Sequence, residues 1–382
     1  MSYPIQDIFT GAYTGYTATH FVSSQQSKAA HAIISCKTPA LGGNTGVCDD
    51  CGHTQTHYNS CRNRHCPCCQ GIVKEKWIDM RKADVIDAPY FHIVFTVPEE
   101  LNPLIYTNQK LLYTLLYQAS AETLQELAGD EKHLGAQIGF MSLLHTWGSN
   151  VSFHPHIHSI VLGGGLTPAS DFKTSDDNFL FPIRVVSKLF RGKFLFRLKQ
   201  YYETDKLVFS GTSASFQSKC GFFKLLNMLY AKEWVPYIKE PFKGAANVIE
   251  YLGRYTHRIA ISNSRIVRHT DTHVTFRAKS YKDGGKQKEL TITIDEFIRR
   301  FLMHVLPKGF VKIRHYGILS NSSKKKKLAL CRKILKGKRF KPILADKSAA
   351  DIVKILFGVD ITKCPNCNSA NWKRRRIPPQ LE

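Results

Sequence analysis

Apolar residues follow strand-like and helix-like periods through the middle of the chain. The run YFHIVFTVP (90–98) is rich in aromatic and β-branched residues and predicts a strand that ends at Pro98. Apolar residues recur at helical spacing over 108–129, which predicts a helix that ends at a glycine. Two further runs of strand length, 138–148 and 154–165, are joined by a polar turn, so we expect them to pair as an antiparallel hairpin.

The second half of the chain alternates between the same two patterns. Helical spacing predicts helices near 186–203 and 213–231, and a short helix over 245–258. Three strand-like runs follow, and Asp295 is then a candidate N-cap for a helix that ends before Pro307. The three runs are RIAISNSRIV (258–267), THVTFRAK (272–279) and ELTITI (289–294). Helices together with strands that pair antiparallel predict an α+β protein.

The charge of the chain limits the kinds of partner that it can have. Its 382 residues include 54 Lys and Arg against 30 Asp and Glu, a net charge of +24. A polyanion would relieve this repulsion, either nucleic acid or an anionic membrane surface. We find no apolar run of about 18 residues and no basic amphipathic helix with an aromatic face, so nucleic acid is favoured over a membrane. The start of the chain lacks the pattern of a secretory signal, so we expect a cytoplasmic protein with reduced thiols.

The cysteines are concentrated in one polar segment, CDDCGHTQTHYNSCRNRHCPCCQG (48–71). Two Cys-x-x-Cys turns, Cys48 with Cys51 and Cys66 with Cys69, predict one structural Zn²⁺ site with four thiolates. One of five further side chains could replace a member of this set: Cys61, Cys68, His53, His57 and His65. Reduced core cysteines are a poor alternative, because the segment offers little to pack against. Arg62 and Arg64 lie between the turns, where a basic loop could contact DNA phosphates.

A third Cys-x-x-Cys turn lies near the end of the chain, at Cys364 and Cys367. It is half of a zinc site, to be completed by Cys331 or by a partner chain, unless it is only a turn with two thiols. Basic runs at 324–341 and 372–376 flank it. They fit a nonspecific grip on phosphates, and a solvated disordered tail is the alternative.

Three histidines occupy alternate positions in HPHIH (154–158), within an otherwise apolar segment. On a strand, alternate side chains share a face, so His154, His156 and His158 should point the same way. His156 and His158 would lie about 6 to 7 Å apart along the strand, close enough to bind one ion. A solvated strand face is the alternative, but three histidines in five positions favour a metal site. With an oxygen donor added, the pair suits a divalent ion such as Mg²⁺ or Mn²⁺.

A pair of tyrosines is the candidate nucleophile that such an ion would serve. YLGRY (251–255) places Tyr251 and Tyr255 one helical turn apart, with Arg254 and Arg258 beside them as candidate DNA contacts. Packing of two phenols in a core is the alternative, and alone the motif is weak. With the histidine strand and the basic charge, it supports attack of a tyrosine on a phosphodiester to form a 5′-phosphotyrosine. No phosphate-binding P-loop pattern is present, which agrees with strand transfer without ATP.

Four stretches in this order resemble the two-tyrosine HUH transposases of rolling-circle insertion sequences, and more narrowly the insertion sequence ninety-one family. They are SCRNRHCPCCQG, LLHTWGSNVSFHPHIHSIVLGGG, YLGRYTHRIAISNSRI and VLPKGFVKIRHYGILSN, within about residues 20 to 325. The resemblance implies an HUH fold, an antiparallel sheet backed by helices, that cuts and rejoins single-stranded DNA. His156 and His158 would hold the metal, and Tyr251 and Tyr255 would alternate as nucleophiles. His154 could be a third ligand, a supporting residue or a DNA contact, and Glu250 is another candidate ligand.

These observations divide the chain into three expected parts and leave two alternatives to transposition. The parts are a helical and zinc-binding domain (1–88), a catalytic domain (89–323) and a basic tail (324–382). The expected partners are single-stranded element ends and target DNA, and the oligomeric state is open. One alternative is a rolling-circle replication initiator with the same chemistry. The other is a non-catalytic zinc-dependent DNA-binding protein, whose histidines and tyrosines only pack.

Overall fold

A computed structural model describes residues 4–176, 180–239, 242, 248, 253, 259–280 and 284–380. Its first elements, in chain order, are α1 (Pro4–Thr19), α2 (Ser24–Ile34), β1 (Gly43–Cys48), β2 (Thr54–Tyr58), α3 (Gly71–Lys82), β3 (Tyr90–Thr96), α4 (Asn102–Thr107), α5 (Gln109–Gly129), β4 (Gln137–Trp147) and β5 (Phe153–Leu166). The later ones are β6 (Phe172–Thr174), α6 (Ile183–Glu203), α7 (Lys219–Ala231), β7 (Tyr237–Lys239), β8 (Ile266–His269), β9 (His273–Ser280), β10 (Lys286–Thr293), α8 (Ile294–Met303), β11 (Ile313–Gly317), α9 (Lys324–Ile334), α10 (Ala349–Phe357) and β12 (Trp372–Ile377). Helices and antiparallel sheets are therefore mixed in this fold.

A central antiparallel sheet holds the strands that the apolar pattern predicts. Its order is β11-β4-β5-β3-β7, with β6 on the far part of β5. The predicted hairpin is confirmed, since β4 and β5 pair antiparallel with His145 opposite His156. The predicted strand that ends before Pro98 is β3, which lies on the other side of β5 with Thr96 opposite His156. The histidine strand is thus flanked by a strand on each side.

The two faces of this sheet are covered differently. Phe91, Phe140 and Ile157 belong to the largest apolar cluster, which is shared with α5, α6 and α7. On the opposite face Met141 and Ile160 belong to a smaller cluster that includes Leu328 of α9. The histidines lie on this second face, because His156 and His158 alternate with Ile157 and are in phase with Ile160. Among the described residues, this smaller cluster does not extend to the end of the face that carries the histidines.

A second antiparallel sheet, β10-β9-β8, packs with α1, α2 and α8 into a separate apolar cluster. Phe9 of α1 meets Phe301 of α8 edge to face, with ring centroids 5.1 Å apart. The predicted cap of α8 is corrected: Thr293, not Asp295, is the N-cap, and its hydroxyl accepts from the Glu296 N–H at 3.3 Å. The predicted strand over 258–267 is also shorter than expected, because Asn263–Arg265 form a 3-10 turn before β8 begins.

The C-terminal region folds back onto the N-terminal one. Strand β12 pairs antiparallel with β1, so that Trp372 lies opposite Cys48, and β2 completes a small three-stranded sheet. The basic region after residue 324 therefore contains two helices and a strand, which contradicts a disordered tail. The predicted helix over 245–258 lies outside the described residues, except for Val248 and Gly253. Within the part of the chain that is described, no helix is long and apolar enough to cross a membrane.

Candidate metal centres

Three imidazoles converge at one end of the central sheet. We call His145, His156 and His158 the histidine cluster, because each offers a nitrogen within 4.8 Å of the others. Strand pairing explains the convergence: His145 lies directly opposite His156, and His158 is two residues further along the same face. His145 and His158 are buried. The cluster can hold one divalent ion with three imidazole ligands.

Hydrogen bonds to the ring nitrogens orient two members of this cluster. His156 Nδ1 lies 2.7 Å from the carbonyl oxygen of His154 and must donate to it, so Nε2 carries the lone pair. His158 Nδ1 lies 2.9 Å from Nε2 of His92, a buried residue of β3. A second ring nitrogen held in this way is the usual arrangement for a metal-binding histidine. The geometry therefore prepares both rings for a metal on the Nε2 side.

Neither predicted accessory ligand is found in the histidine cluster of the described residues. His154 is not a member of the cluster, although its ring centroid is 5.2 Å from that of His156 and burial lowers its pKa. Glu250 lies outside the described residues. The third imidazole comes from His145, which sequence reasoning missed. The only signal was the predicted hairpin of β4 and β5, which does not by itself show that His145 lies opposite His156.

A cavity of about 630 Å³ opens above the histidine cluster. The sheet with the histidines forms one side, and Arg265, Arg277 and Lys279 line the other. Nε of Arg265 donates to the carbonyl oxygen of Arg277 at 2.8 Å, and its guanidinium lies over the ring of Phe276. Arg277 and Lys279 are exposed on β9. The cavity therefore joins metal ligands to a basic wall, an arrangement that suits a phosphodiester chain.

The cysteines form two clusters rather than one. The inner cysteine cluster consists of Cys36, Cys61, Cys66 and Cys69, and the outer cysteine cluster of Cys48, Cys51, Cys364 and Cys367. The expected grouping of Cys48 and Cys51 with Cys66 and Cys69 is thus corrected. Each Cys-x-x-Cys turn fixes only its own two sulfurs, and the partners that complete each set come from elsewhere in the chain. Cys331 is buried in an apolar cluster and completes neither set.

The structure also shows which of the five alternative ligands in the first cysteine segment belong to a cluster. Cys61 is a member of the inner cluster, and its Sγ lies 3.8 Å from that of Cys69. Cys68 lies beside that cluster, where Asn263 Nδ2 is 3.9 Å from its sulfur. His65 accepts the N–H of Leu306 at 3.3 Å, and burial lowers its pKa to about 3. His53 stacks on Trp372, and neither it nor His57 joins a cluster.

The predicted DNA contacts and nucleophiles are only partly described. Arg64 donates from its guanidinium to the carbonyl oxygen of Phe310 at 2.8 Å, which gives it a structural role, and Arg62 is exposed. Both predicted nucleophiles and two of the predicted DNA contacts lie outside the described residues: Tyr251, Tyr255, Arg254 and Arg258.

Two described residues belong to the segment that carries the tyrosines. Val248 packs in the apolar cluster on the histidine face of the central sheet. Gly253 lies against α3: a β-carbon added there would be 2.9 Å from Ile78 Cδ1. Gly253 also lines a cavity together with Cys66 and Cys68. Val248 therefore contacts the central sheet, and Gly253 contacts the helix that follows the inner cysteine cluster.

Two family models match the chain, one over its N-terminal region and one over its middle region. One described as "Transposase zinc-binding domain" matches residues 8–97, and one described as "Putative transposase" matches residues 139–327. A protein of Sinorhizobium fredii named "Putative transposase y4qJ" is 44% identical over 368 residues, which are 95% of this chain and 92% of that protein. The chain belongs to the insertion sequence ninety-one family of transposases.

A second relative of this transposase is more distant. The transposase for insertion sequence element IS801 of Pseudomonas savastanoi pv. phaseolicola is 27% identical over 295 residues, 76% of this chain and 69% of that protein. No solved structure matches the chain. The zinc-binding match supports structural Zn²⁺ in the transposase. Its range includes all four cysteines of the inner cluster but only Cys48 and Cys51 of the outer one.

Proposed function

We propose that this transposase nicks and rejoins single-stranded DNA at insertion-sequence ends through 5′-phosphotyrosine intermediates, and so drives rolling-circle transposition. The observation that carries the proposal is the histidine cluster at the base of a basic cavity. The antiparallel sheet, with helices on the face opposite the histidines, supports the HUH fold as part of this proposal. The basic wall fits DNA, and membership of the transposase family supports DNA as the partner.

We propose that the histidine cluster binds a divalent ion. Three imidazoles suit Mn²⁺ better than Mg²⁺, which prefers oxygen ligands. A bound divalent ion would withdraw electron density from the scissile phosphate and so favour attack on phosphorus. The carbonyl of His154 and the ring of His92 would keep His156 and His158 in register for the ion. Arg265, Arg277 and Lys279 would hold the flanking phosphates across the cavity.

The tyrosines would supply the covalent chemistry. The Oη atom of Tyr251 or Tyr255 forms a bond to phosphorus, while the bond from phosphorus to the 3′ oxygen breaks. The phenol proton passes to solvent, and the released 3′ oxygen takes a proton from solvent. Rejoining is the reverse reaction, in which a 3′ hydroxyl attacks the phosphotyrosine. Val248 contacts the histidine face of the central sheet and Gly253 contacts α3, and these contacts of two residues close to the tyrosines in the sequence support the proposal.

Formation of a covalent protein–DNA adduct tests the proposal. The protein is incubated with labelled single strands from both element ends and Mn²⁺ or Mg²⁺, and the products are separated on a denaturing gel. We expect an SDS-stable labelled band that the Tyr251→Phe/Tyr255→Phe double variant and His156→Ala both lose. Tyr230→Phe and His269→Ala, which change exposed residues, should keep it.

Two outcomes would overturn the proposal in different ways. DNA binding without an adduct, at both ends and with both metals, would favour the non-catalytic zinc-dependent DNA-binding protein. An adduct that survives in the double variant would remove the tyrosines from the chemistry. A replication initiator would give the same adduct, so strand transfer between an element end and a target strand must also be observed.

A further inference from the structure

The outer cysteine cluster joins segments that are far apart in the sequence. Sγ of Cys48 lies 3.5 Å from Sγ of Cys367, and Sγ of Cys51 lies 3.6 Å from Sγ of Cys364. All four sulfurs lie within 4.8 Å of one another, and all four cysteines are free thiols. Four sulfurs about 2.3 Å from a tetrahedral zinc ion would lie about 3.8 Å from one another. The spacing therefore fits four thiolates around one Zn²⁺.

The two turns that supply these sulfurs have the same local geometry. In each, a backbone N–H returns to the carbonyl of the first cysteine: Gly52 to Cys48 at 3.0 Å, and Asn368 to Cys364 at 2.9 Å. The residue after each second cysteine is left-handed, with φ of 68° at Gly52 and 60° at Asn368. Glycine and asparagine are the residues that adopt this conformation most readily. Two matched turns that face each other form a complete site for a tetrahedral ion.

The small sheet around this site has no hydrophobic core of its own. Among the described residues, the three apolar clusters contain no residue of β1, β2 or β12. All five residues of β2 are exposed, and four consecutive residues of β12, Lys373–Arg376, are exposed and basic. Trp372 of β12 lies over Gly46 of β1, and Lys373 forms an exposed ion pair with Asp49, the residue after β1. Such an ion pair contributes at most about 1 kcal/mol, so the sheet needs another source of stability.

We propose that Cys48, Cys51, Cys364 and Cys367 bind a second structural Zn²⁺, which fastens the C-terminal strand β12 to β1. Half of its ligands lie far beyond residues 8–97, the range of the zinc-binding family model. The ion links the N-terminal and C-terminal regions of the chain and holds four basic residues of β12 in register with β1. This site is independent of the tyrosine chemistry, so the two proposals can be tested separately.

The accessibility of the thiols to alkylation tests this site in the intact protein. The zinc-loaded full chain is treated with iodoacetamide, and each cysteine is followed by mass spectrometry. Cys51, Cys367 and Cys220 are all exposed, but Cys220 lies on α7 and belongs to neither cluster, so it is the internal control. We expect Cys51 and Cys367 to react at least about tenfold more slowly than Cys220 until a chelator removes the zinc. Equal rates before chelation would overturn the site, as would protection that only a reducing agent removes.

The metal content of variants gives a second test. In Co²⁺-substituted protein, sulfur-to-metal charge transfer reports thiolate sites and not the histidine cluster. The Cys364→Ser/Cys367→Ser variant should lose about half of this absorption, and Cys48→Ser/Cys51→Ser should lose the same half. Cys220→Ser should lose none. Full absorption in both double variants would show that the outer cluster binds no metal.

Discussion

The histidine cluster and the inner cysteine cluster both bring metal ligands together, but they rest on opposite kinds of support. The histidines project from paired strands of a sheet, and the other face of this sheet carries the largest apolar cluster. The histidine cluster is therefore held in place without an ion. The inner cysteines come from the end of α2 and an irregular segment before α3, and Cys36 and Cys66 are completely buried. The sheet preorganises the three histidines, whereas we expect the inner cluster to depend on a bound ion, because no strand pairing holds the segment that carries Cys61, Cys66 and Cys69.

The largest expected effect follows directly from this difference. Cys66→Ser should lower the free energy of unfolding of the N-terminal region by roughly 5 kcal/mol or more, because structural zinc contributes on the order of 10 kcal/mol in small zinc domains. His156→Ala should change stability by no more than about 1 kcal/mol, since its strand is held by its neighbours. Thermal melts and zinc content check both. A variant Cys66→Ser that keeps its zinc and its melting temperature would show that the two clusters do not differ in this way.

A smaller effect is expected from a change in the support of His158, and it should alter metal affinity without altering folding. His92→Leu removes the partner of His158 Nδ1, so Mn²⁺ affinity at the histidine cluster should fall about 10- to 100-fold. His92→Gln, which keeps a polar group there, should recover part of the affinity. Mn²⁺ titration followed by electron paramagnetic resonance measures the dissociation constant, with a thermal melt as the folding control. Unchanged affinity in His92→Leu would mean that the sheet alone orients the ligand.

An effect of about the same size is expected for a buried histidine outside both clusters. His304 faces the carbonyl of Val151 at 3.0 Å, and burial lowers its pKa to about 4. The unfolded chain takes up this proton first as the pH falls below about 6.5, so stability is present above that pH and is lost toward pH 4. Between about pH 7.5 and pH 5 the loss should be about 2 kcal/mol. Urea unfolding should show that His304→Gln lacks this part of the loss. An equal loss in that variant would assign the pH dependence to other groups.

The sequence predicts the parts of the molecule that depend on local pattern. Residue periodicity finds β3, β4, β5 and α5, and alternation correctly places His156 and His158 on one face. It cannot find His145 as a neighbour, because that depends on which residues of two strands lie opposite each other. The cysteine grouping fails for a related reason: all three Cys-x-x-Cys turns have the same spacing, and only the fold shows that Cys48 faces Cys367. Partners separated by more than 300 residues leave no local signal.

The central claim, attack by Tyr251 or Tyr255 on DNA, is tested most directly by locating the adduct. Trypsin cleaves after Lys243, Arg254 and Arg258, so the two tyrosines fall in separate peptides, 244–254 and 255–258. After the DNA of the trapped adduct is digested to a single nucleotide, mass spectrometry shows which peptide carries it. We expect a nucleotide phosphate on one or both of these peptides. A nucleotide on any other residue, with both peptides unmodified, would contradict the claim.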